Sequence, residues 1–106
     1  MRIYIAGPMS NLPGLNHPAF HAAAATLRAL GHTVVNPAEL NPDPNADWLA
    51  CMRVDIAQLV TCDAVALLNG WNKSRGASIE RNLAAELGFV VLSVELFRRV
   101  ADEVTA

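Results

Sequence analysis

The chain has 106 residues, of which 53% are hydrophobic and 17% charged, so we expect one compact domain over residues 1–106 with a well-buried core. The formal net charge of −2 and the lack of a Lys/Arg cluster argue against a protein that binds a nucleic acid duplex. No apolar run approaches membrane-spanning length, and the first residues lack the apolar core of a signal peptide, so we expect a cytoplasmic protein without a membrane partner.

Strands and helices alternate along the predicted chain. Short apolar runs closed by glycine, proline or asparagine predict strands, and apolar residues at three- and four-residue spacing predict helices. In chain order, the predicted elements are a strand at 2–7, a helix at about 16–30, a strand at 32–36, a helix at about 47–61, a strand at 63–70, a helix at 74–88, a strand at 89–95 and a helix at 96–104. Asn16 or His17 is expected to cap the first helix. A loop rich in Pro, Asn and Asp is expected over 37–47.

This order of elements predicts an α/β fold. Short connections between alternating strands and helices favour a parallel sheet of four to five strands, covered on both faces in a three-layer, doubly wound Rossmann- or flavodoxin-like arrangement. Small ligands bind such sheets outside the carboxyl ends of the strands, where the strand order reverses. The loops at 7–16 and 69–76 follow the first and third predicted strands, so both are expected at that edge.

Glu80 lies where an apolar residue is expected. It is four positions from Gly76 and Ala84 and seven from Leu87, so helical spacing directs its carboxyl group toward the core. An acid near a helix N-terminus is also favoured by the helix dipole, so Glu80 taken alone is either structural or functional. Ser74 precedes this helix and brings a hydroxyl to N–H groups that can bind an anion.

A second acid and a phenol accompany Glu80. Asp55 falls within the apolar face of the second predicted helix, where a lone Asp either pairs locally or sits at the rim. That apolar face consists of Trp48, Met52, Ile56, Leu59 and Val60. Tyr4 lies in a strand expected to be buried, so its hydroxyl needs a partner. Two acids and a phenol beside an anion-binding loop favour displacement at a sugar carbon, with one acid as nucleophile and the other assisting the leaving group.

Three stretches of the chain also resemble a known family. "RIYIAGPM", "DIAQLVTCDAVALLNGW" and "SRGASIERNLAAELG" resemble the nucleoside 2-deoxyribosyltransferase superfamily, which includes the 2'-deoxynucleoside 5'-monophosphate N-hydrolases, and within it a branch of small bacterial and phage proteins. The most specific part is an Asp, a second Asp eight residues later that opens a strand, and Ser-x-Gly-x-x-x-Glu at a helix start. These residues are Asp55, Asp63, Ser74, Gly76 and Glu80.

The resemblance implies a reaction and a role for each residue. Glu80 would attack C1' of the deoxyribose, expel the base and form a glycosyl–enzyme ester, which another base or water resolves. Tyr4 would hold the carboxylate of Glu80, and Asp55 would contact the base and help to protonate it. The transferases tend to carry Asp at the position of Ser74, whereas the monophosphate hydrolases carry Ser and use it to bind phosphate. A nucleoside or its 5'-monophosphate is therefore the implied substrate.

The remaining candidate substrate contacts lie in loops. The loop that contains Gly7, Ser10 and Asn11 differs from the Ser- and Arg-bearing glycine loop of the hydrolases, and Ser10 and Asn11 are its candidate phosphate contacts. Trp71 is either a plug over the core or a surface on which a base stacks. The family completes its pocket with a polar residue near the C-terminus of a neighbouring subunit, which implies a homo-oligomer and makes Thr105 the candidate.

No cofactor or metal site is expected. His17 and His21 are spaced for a metal, but "HPAFH" lacks the glutamate of the metalloprotease motif and a third ligand, so capping or surface roles are favoured. "AGPMSNLPG" is neither a dinucleotide-binding nor a Walker A sequence. Cys51 and Cys62 are in no metal or redox spacing and are expected to be reduced core residues.

Two functions other than catalysis stay open. The chain is either an enzyme with Glu80 ionised near neutral pH, which the helix N-terminus favours and apolar surroundings oppose, or a binding module that keeps the pocket without turnover. The third alternative is an interaction protein whose inward acids pair with arginines. The candidate partners for such pairs are Arg53, Arg75 and Arg81.

Overall fold

The structure is a computed structural model that describes the backbone of residues 1–105 and the side chains of residues 1–101, so the side chain of Thr105 lies outside the described residues. The strands are β1 (Arg2–Ala6), β2 (Thr33–Val35), β3 (Ala64–Leu67) and β4 (Val90–Ser93). The helices are α1 (His17–Ala29), α2 (Pro37–Leu40), α3 (Trp48–Leu59), α4 (Arg75–Glu86) and α5 (Val94–Thr105). None of the described helices combines the length and the apolar character needed to span a membrane.

The four strands form one parallel sheet in the order β2-β1-β3-β4. Side chains alternate along β1, so Ile3 and Ile5 face one layer and Tyr4 and Ala6 face the other. The first layer packs against α1 and α5, and the second packs against α3 and α4. The predicted three-layer, doubly wound α/β fold is thereby confirmed, with four strands.

The strand order reverses between β1 and β3, which opens a crevice at their carboxyl ends. The two chain segments lie very close here, since the Leu68 N–H donates to the carbonyl oxygen of Ala6 at 2.9 Å. A Cβ atom on Gly7 would come within 2.7 Å of the Leu68 Cβ atom. Glycine at position 7 is therefore required for the close approach of the two strand ends.

The start of α1 differs from the prediction. The helix begins at His17, but Asn16 does not cap it, because Asn16 adopts the left-handed conformation (φ 58°) and its side-chain amide donates to the Pro8 carbonyl oxygen at 3.0 Å. Asn16 thus ties the loop to its own beginning, and the helix N-terminus has no side-chain cap.

The starts of two other helices, α2 and α5, differ from the prediction because a side chain caps each of them. The predicted loop over 37–47 contains α2, which forms because the Asn36 side chain accepts a hydrogen bond from the Ala38 N–H at 3.0 Å. The last helix begins at Val94, inside the predicted strand, because the Ser93 hydroxyl oxygen accepts from the Leu96 N–H. In both places a polar side chain at the end of a strand starts a helix at once.

Two residues predicted on inward faces are exposed. Val60 and Leu87 are 51% and 50% exposed, respectively. Each follows the last residue of its helix, α3 or α4, where the chain turns toward the next strand and away from the layer beneath. The buried face therefore ends at Leu59 in α3 and at Ala84 in α4.

Candidate active site

Glu80 lies on the inner face of α4 and is 5% exposed. The Ser74 hydroxyl oxygen caps this helix by accepting from the Ala77 N–H at 3.2 Å. The Tyr4 hydroxyl, from the middle of the sheet, donates to Glu80 Oε2 at 2.5 Å. One carboxyl oxygen of Glu80 is therefore fixed by a buried phenol, because the strand and the helix pack against each other.

Asp55 lies on the buried face of α3 and is 8% exposed. The Asn41 side-chain amide donates to Asp55 Oδ1 at 2.7 Å and to the Pro37 carbonyl oxygen at 3.4 Å. Asn41 therefore holds the second acid in place. Sequence reasoning missed Asn41 because it directly follows the short helix that was predicted as loop, where asparagine is common.

A cleft of about 180 Å³ brings most of the predicted site together. It is walled by the loop after β1 and by residues of α1, α3 and α4. Six of the predicted site residues line it: Gly7, Ser10, Asp55, Ser74, Gly76 and Glu80. Two acids from separate helices thus border one space at the edge of the sheet where ligands of such folds bind.

Three predicted site residues lie outside this cleft. Tyr4 is fully buried behind Glu80 and meets the cleft only through the carboxyl group. Trp71 packs against the apolar layer under α3 and α4, and the Arg81 guanidinium lies 5.5 Å from the centre of its ring. This packing belongs to the first of its two predicted roles, the plug over the core, and the second role, as a surface on which a base stacks, stays a prediction. Asn11 is exposed and lines a neighbouring cavity.

That neighbouring cavity of about 240 Å³ shares a wall with the cleft and has a different charge. Its lining includes Lys73 and Arg75, whereas the acids of the site line the cleft. Trp48 lines both spaces, and the Arg75 guanidinium lies 4.8 Å from the centre of its ring. The cations of the neighbouring cavity and the acids of the cleft therefore lie on two sides of a shared boundary that includes Ser10, Trp48 and Ser74.

Burial controls the protonation of the two acids. It raises the pKa of Glu80 to about 8, with the Asp55 charge adding to the rise and the Tyr4 hydrogen bond opposing it. Burial also raises the pKa of Asp55 to about 6, against the Asn41 hydrogen bond. At pH 7 the pair therefore holds about one proton. The pKa of Tyr4 is raised well above its usual value, mainly by burial, so Tyr4 remains a donor.

Neither acid is held by an arginine of the described residues. Arg75 stacks on Trp48, and Arg81 stacks on Trp71 and donates to Asn82. The ion pairs between described residues use Glu39 and Glu95 instead. The arginine pairs that an interaction protein would require are thus not formed by Glu80 or Asp55.

The histidines and cysteines provide no metal site within residues 1–101. No group of three or more His, Cys, Asp or Glu side chains in this part of the chain could hold an ion. The rings of His17 and His21 meet edge to face with centres 6.2 Å apart. Both cysteines are free, as expected, and Cys62 is buried. The prediction of a core position was wrong for Cys51, which lines the cleft and is half-buried.

Comparison with known proteins finds one family and two similar solved structures. Residues 1–93 match a family described as Domain of unknown function (DUF4406). The structure is similar to a 2-deoxyribosyltransferase from the psychrotolerant bacterium Bacillus psychrosaccharolyticus, with a TM-score of 0.65 and 27% identity, covering 87% of this chain and 71% of that one. It shares its fold with a 2-deoxyribosyltransferase from Leishmania mexicana, with a TM-score of 0.65 and 23% identity, covering 87% of this chain and 62% of that one. No curated protein sequence matches.

Proposed function

The chain belongs to the DUF4406 family, and we propose that it cleaves or exchanges the N-glycosidic bond of a 2'-deoxynucleoside or its 5'-monophosphate. The observation that carries this proposal is the hydrogen bond from the buried Tyr4 hydroxyl to the Glu80 carboxyl group at the cleft. The likeness to the Bacillus 2-deoxyribosyltransferase supports nucleoside glycosyl transfer as the class of reaction.

In the first step Glu80 acts as the nucleophile. Its Oε1 attacks C1' of the sugar, the bond from C1' to the base nitrogen breaks, and the electron pair leaves with the base. The Tyr4 hydroxyl occupies Oε2, so it fixes the plane of the carboxylate and leaves Oε1 for the attack. The product of this step is a glycosyl ester of Glu80.

In the second step the ester is resolved at the same carbon. Water or the nitrogen of another base attacks C1', the bond from C1' to Glu80 breaks, and the carboxylate is restored. Water gives net hydrolysis, and another base gives net exchange. Glu80 is esterified in this step, so Asp55, which borders the same cleft, is the acid available to accept the proton of the attacking group.

The single proton held by the acid pair suits the first step. The pair shares that proton, because burial raises the pKa of Glu80 to about 8 and that of Asp55 to about 6. Catalysis requires it on Asp55 or on the base, with Glu80 ionised. We infer that substrate entry drives this transfer, since a base bound beside Asp55 offers the proton a new acceptor.

A 5'-phosphate has a suitable place in the neighbouring cavity. Lys73 and Arg75 line this space, together with the hydroxyl-bearing Ser10 and Ser74. Cations and hydroxyl groups are the usual protein partners of a phosphate. A nucleotide whose sugar lies over Glu80 would therefore reach these residues with its 5' end.

The direct test is the release of free base. The full chain is incubated with 2'-deoxynucleosides and with their 5'-monophosphates, and the free base is separated by chromatography. We expect release by the unmodified protein and a loss of at least about 1000-fold in Glu80→Gln, because a neutral amide cannot act as the nucleophile. Intact-mass spectrometry is expected to find the glycosyl ester in the unmodified protein alone.

The matched control is Glu86→Gln, which removes an exposed carboxyl group from the same helix. This variant is expected to release base at the unmodified rate. Base release that survives in Glu80→Gln would refute the nucleophile, and so would an ester attached to any other residue.

A binding module without turnover is the second candidate. It is favoured by the raised pKa of Glu80, which keeps the nucleophile mostly protonated at neutral pH. Calorimetry separates the two functions, because the module would bind a nucleotide without releasing its base at any pH between 5 and 9.

A further inference from the structure

His17 carries a buried polar atom that is not used by the proposed mechanism. The residue lines the cleft at the start of α1, and its Nε2 is shielded from solvent and makes no hydrogen bond to any described residue. A neutral imidazole needs a donor or an acceptor at this nitrogen, and a buried ring nitrogen without one destabilises the fold. The neighbouring His21 is different, because its Nδ1 lies 3.2 Å from the Asn36 side-chain amide.

The turn just before His17 is strained. Gly14, Leu15 and Asn16 have φ angles of 58°, 53° and 58°, which form a left-handed turn. Glycine adopts this conformation freely, whereas Leu15 and Asn16 do so at a cost. Leu15 also lines the cleft. Two unfavourable features, the turn and the unsatisfied nitrogen, therefore occur in adjacent residues at the same wall of the cleft.

One rearrangement would relieve both features. If the turn relaxes, His17 moves with it, and rotation of its ring about χ2, which is a soft torsion, turns a nitrogen toward the cleft. A ligand in the cleft then supplies the partner of this nitrogen. Strained backbone next to a ligand site is typical of segments that respond to binding.

The position of His17 indicates which part of a ligand it meets. The contact between His21 and Asn36 fixes the first turns of α1 beside the end of β2. Phe20 lies on the same side, lines the cleft and is 1% exposed. Glu80 belongs to α4, on the opposite face of the sheet. A nucleoside with its sugar over Glu80 and its base across the cleft would thus meet an aromatic ring and an imidazole.

We propose that His17 is a specificity-determining residue, which hydrogen-bonds the polar edge of the nucleobase when the turn over 14–16 relaxes around a ligand. This inference rests on the proposed function for the identity of the ligand, since the base is the part of a nucleoside that carries ring nitrogens and carbonyl groups. It adds to the role of Asp55, because His17 approaches the base from the other face of the sheet.

The experiment titrates free nucleobases into the full-length protein labelled with ¹⁵N. Adenine, guanine, hypoxanthine, cytosine, thymine and uracil are added separately, and the ring nitrogens of the histidines are followed in long-range ¹H–¹⁵N spectra. We expect at least one base to shift the Nε2 resonance of His17. The dissociation constant of that base is then measured for His17→Phe, His17→Gln and His21→Phe.

The three variants separate the hydrogen bond of His17 to the base from the space that its ring fills in the wall of the cleft. His17→Phe keeps a ring without nitrogens and is expected to bind the base about tenfold more weakly, whereas His17→Gln brings an amide near the Nε2 position and stays within about threefold of the unmodified protein. His21→Phe binds the base normally but lowers the unfolding temperature, since its bond to Asn36 is lost. His17→Phe is expected not to lower that temperature.

The inference is overturned if no base shifts the His17 resonance, or if His17→Phe binds the base as tightly as the unmodified protein. Base release from deoxynucleosides is measured on the same samples. Base release without a shift of the His17 resonance overturns this inference alone. A shift of the His17 resonance without base release overturns the proposed catalysis and leaves the contact between His17 and the base in place.

Discussion

Glu80 is expected to make the folded protein less stable as the pH rises. Burial raises the pKa of its carboxyl group in the fold from 4.5 to about 8, whereas the unfolded chain titrates near the lower value. Between these two values the folded state holds a proton that the unfolded state has lost, so the free energy of unfolding falls with pH. Below pH 4.5 this destabilisation is absent, and above pH 8 it is complete.

The size of the effect follows from the two pKa values. At about 1.36 kcal/mol for each pKa unit, the difference between 4.5 and 8 corresponds to about 5 kcal/mol of lost stability. Domains of this size are stable by only about 5 to 15 kcal/mol. Glu80→Gln removes the titration, and the Gln carbonyl oxygen can still accept from the Tyr4 hydroxyl. The variant is therefore expected to match the unmodified protein within about 1 kcal/mol at pH 5 and to exceed it by about 5 kcal/mol at pH 8.5.

The assay is urea unfolding followed by circular dichroism at pH 5, 6, 7 and 8.5, with the free energy of unfolding extrapolated to water. Glu86→Gln is the control, since this exposed residue lies on the same helix and its substitution is expected to change stability by less than about 0.5 kcal/mol throughout. A stability difference between Glu80→Gln and the unmodified protein that stays constant from pH 5 to pH 8.5 would refute the reasoning, because Glu80 would then ionise in the fold as it does in the unfolded chain.

Three further predictions concern the rate and the close approach of the strands. The value of kcat/KM is expected to peak near pH 7, falling below pH 6 as Asp55 and Glu80 both become protonated and above pH 8 as the last proton is lost. Tyr4→Phe is expected to lower kcat about tenfold and to move the upper limb of that profile to higher pH, since the hydrogen bond that lowers the pKa of Glu80 is lost. Gly7→Ala is expected to cost about 1 to 3 kcal/mol in urea unfolding, because its Cβ atom would come within 2.7 Å of the Leu68 Cβ atom.

For each of these predictions, one result would contradict the reasoning. A rate that is flat between pH 5 and pH 9 would contradict the acid pair, and a Tyr4→Phe profile with unchanged limbs would mean that the phenol does not influence Glu80. Gly76→Ala is the control for Gly7→Ala, since its Cβ atom would meet the flexible end of Met52 at 3.1 Å and is expected to be tolerated. Equal stability losses in the two variants would contradict the steric argument.

The alternation of strands and helices could be predicted because it depends on local pattern. Apolar runs and helical spacing along the chain lead to the parallel sheet that the structure has. Helix ends were less predictable. The cap from Asn36 and the bond from Asn16 back to Pro8 depend on where a side chain points, which residue spacing does not determine.

The candidate site was likewise predictable in part from local sequence pattern. The positions of Glu80 and Asp55 on inward helix faces follow from the spacing of apolar residues, and both acids are buried. The partner of each acid does not follow from spacing, since Tyr4 is 76 residues from Glu80 and Asn41 is 14 residues from Asp55. The importance of Asn41 and His17 at the cleft becomes visible only when distant segments are packed together.

The sequence by itself determined the class of fold and the unusual placement of two acids on apolar helix faces. The periodicity of apolar residues is a local property, which is sufficient for both conclusions. Only the tertiary structure decided the protonation of those acids, because the pKa of a carboxyl group depends on the water removed from it by every packed neighbour. For Glu80 that removal outweighs the hydrogen bond from Tyr4, and the pKa of its carboxyl group is therefore raised.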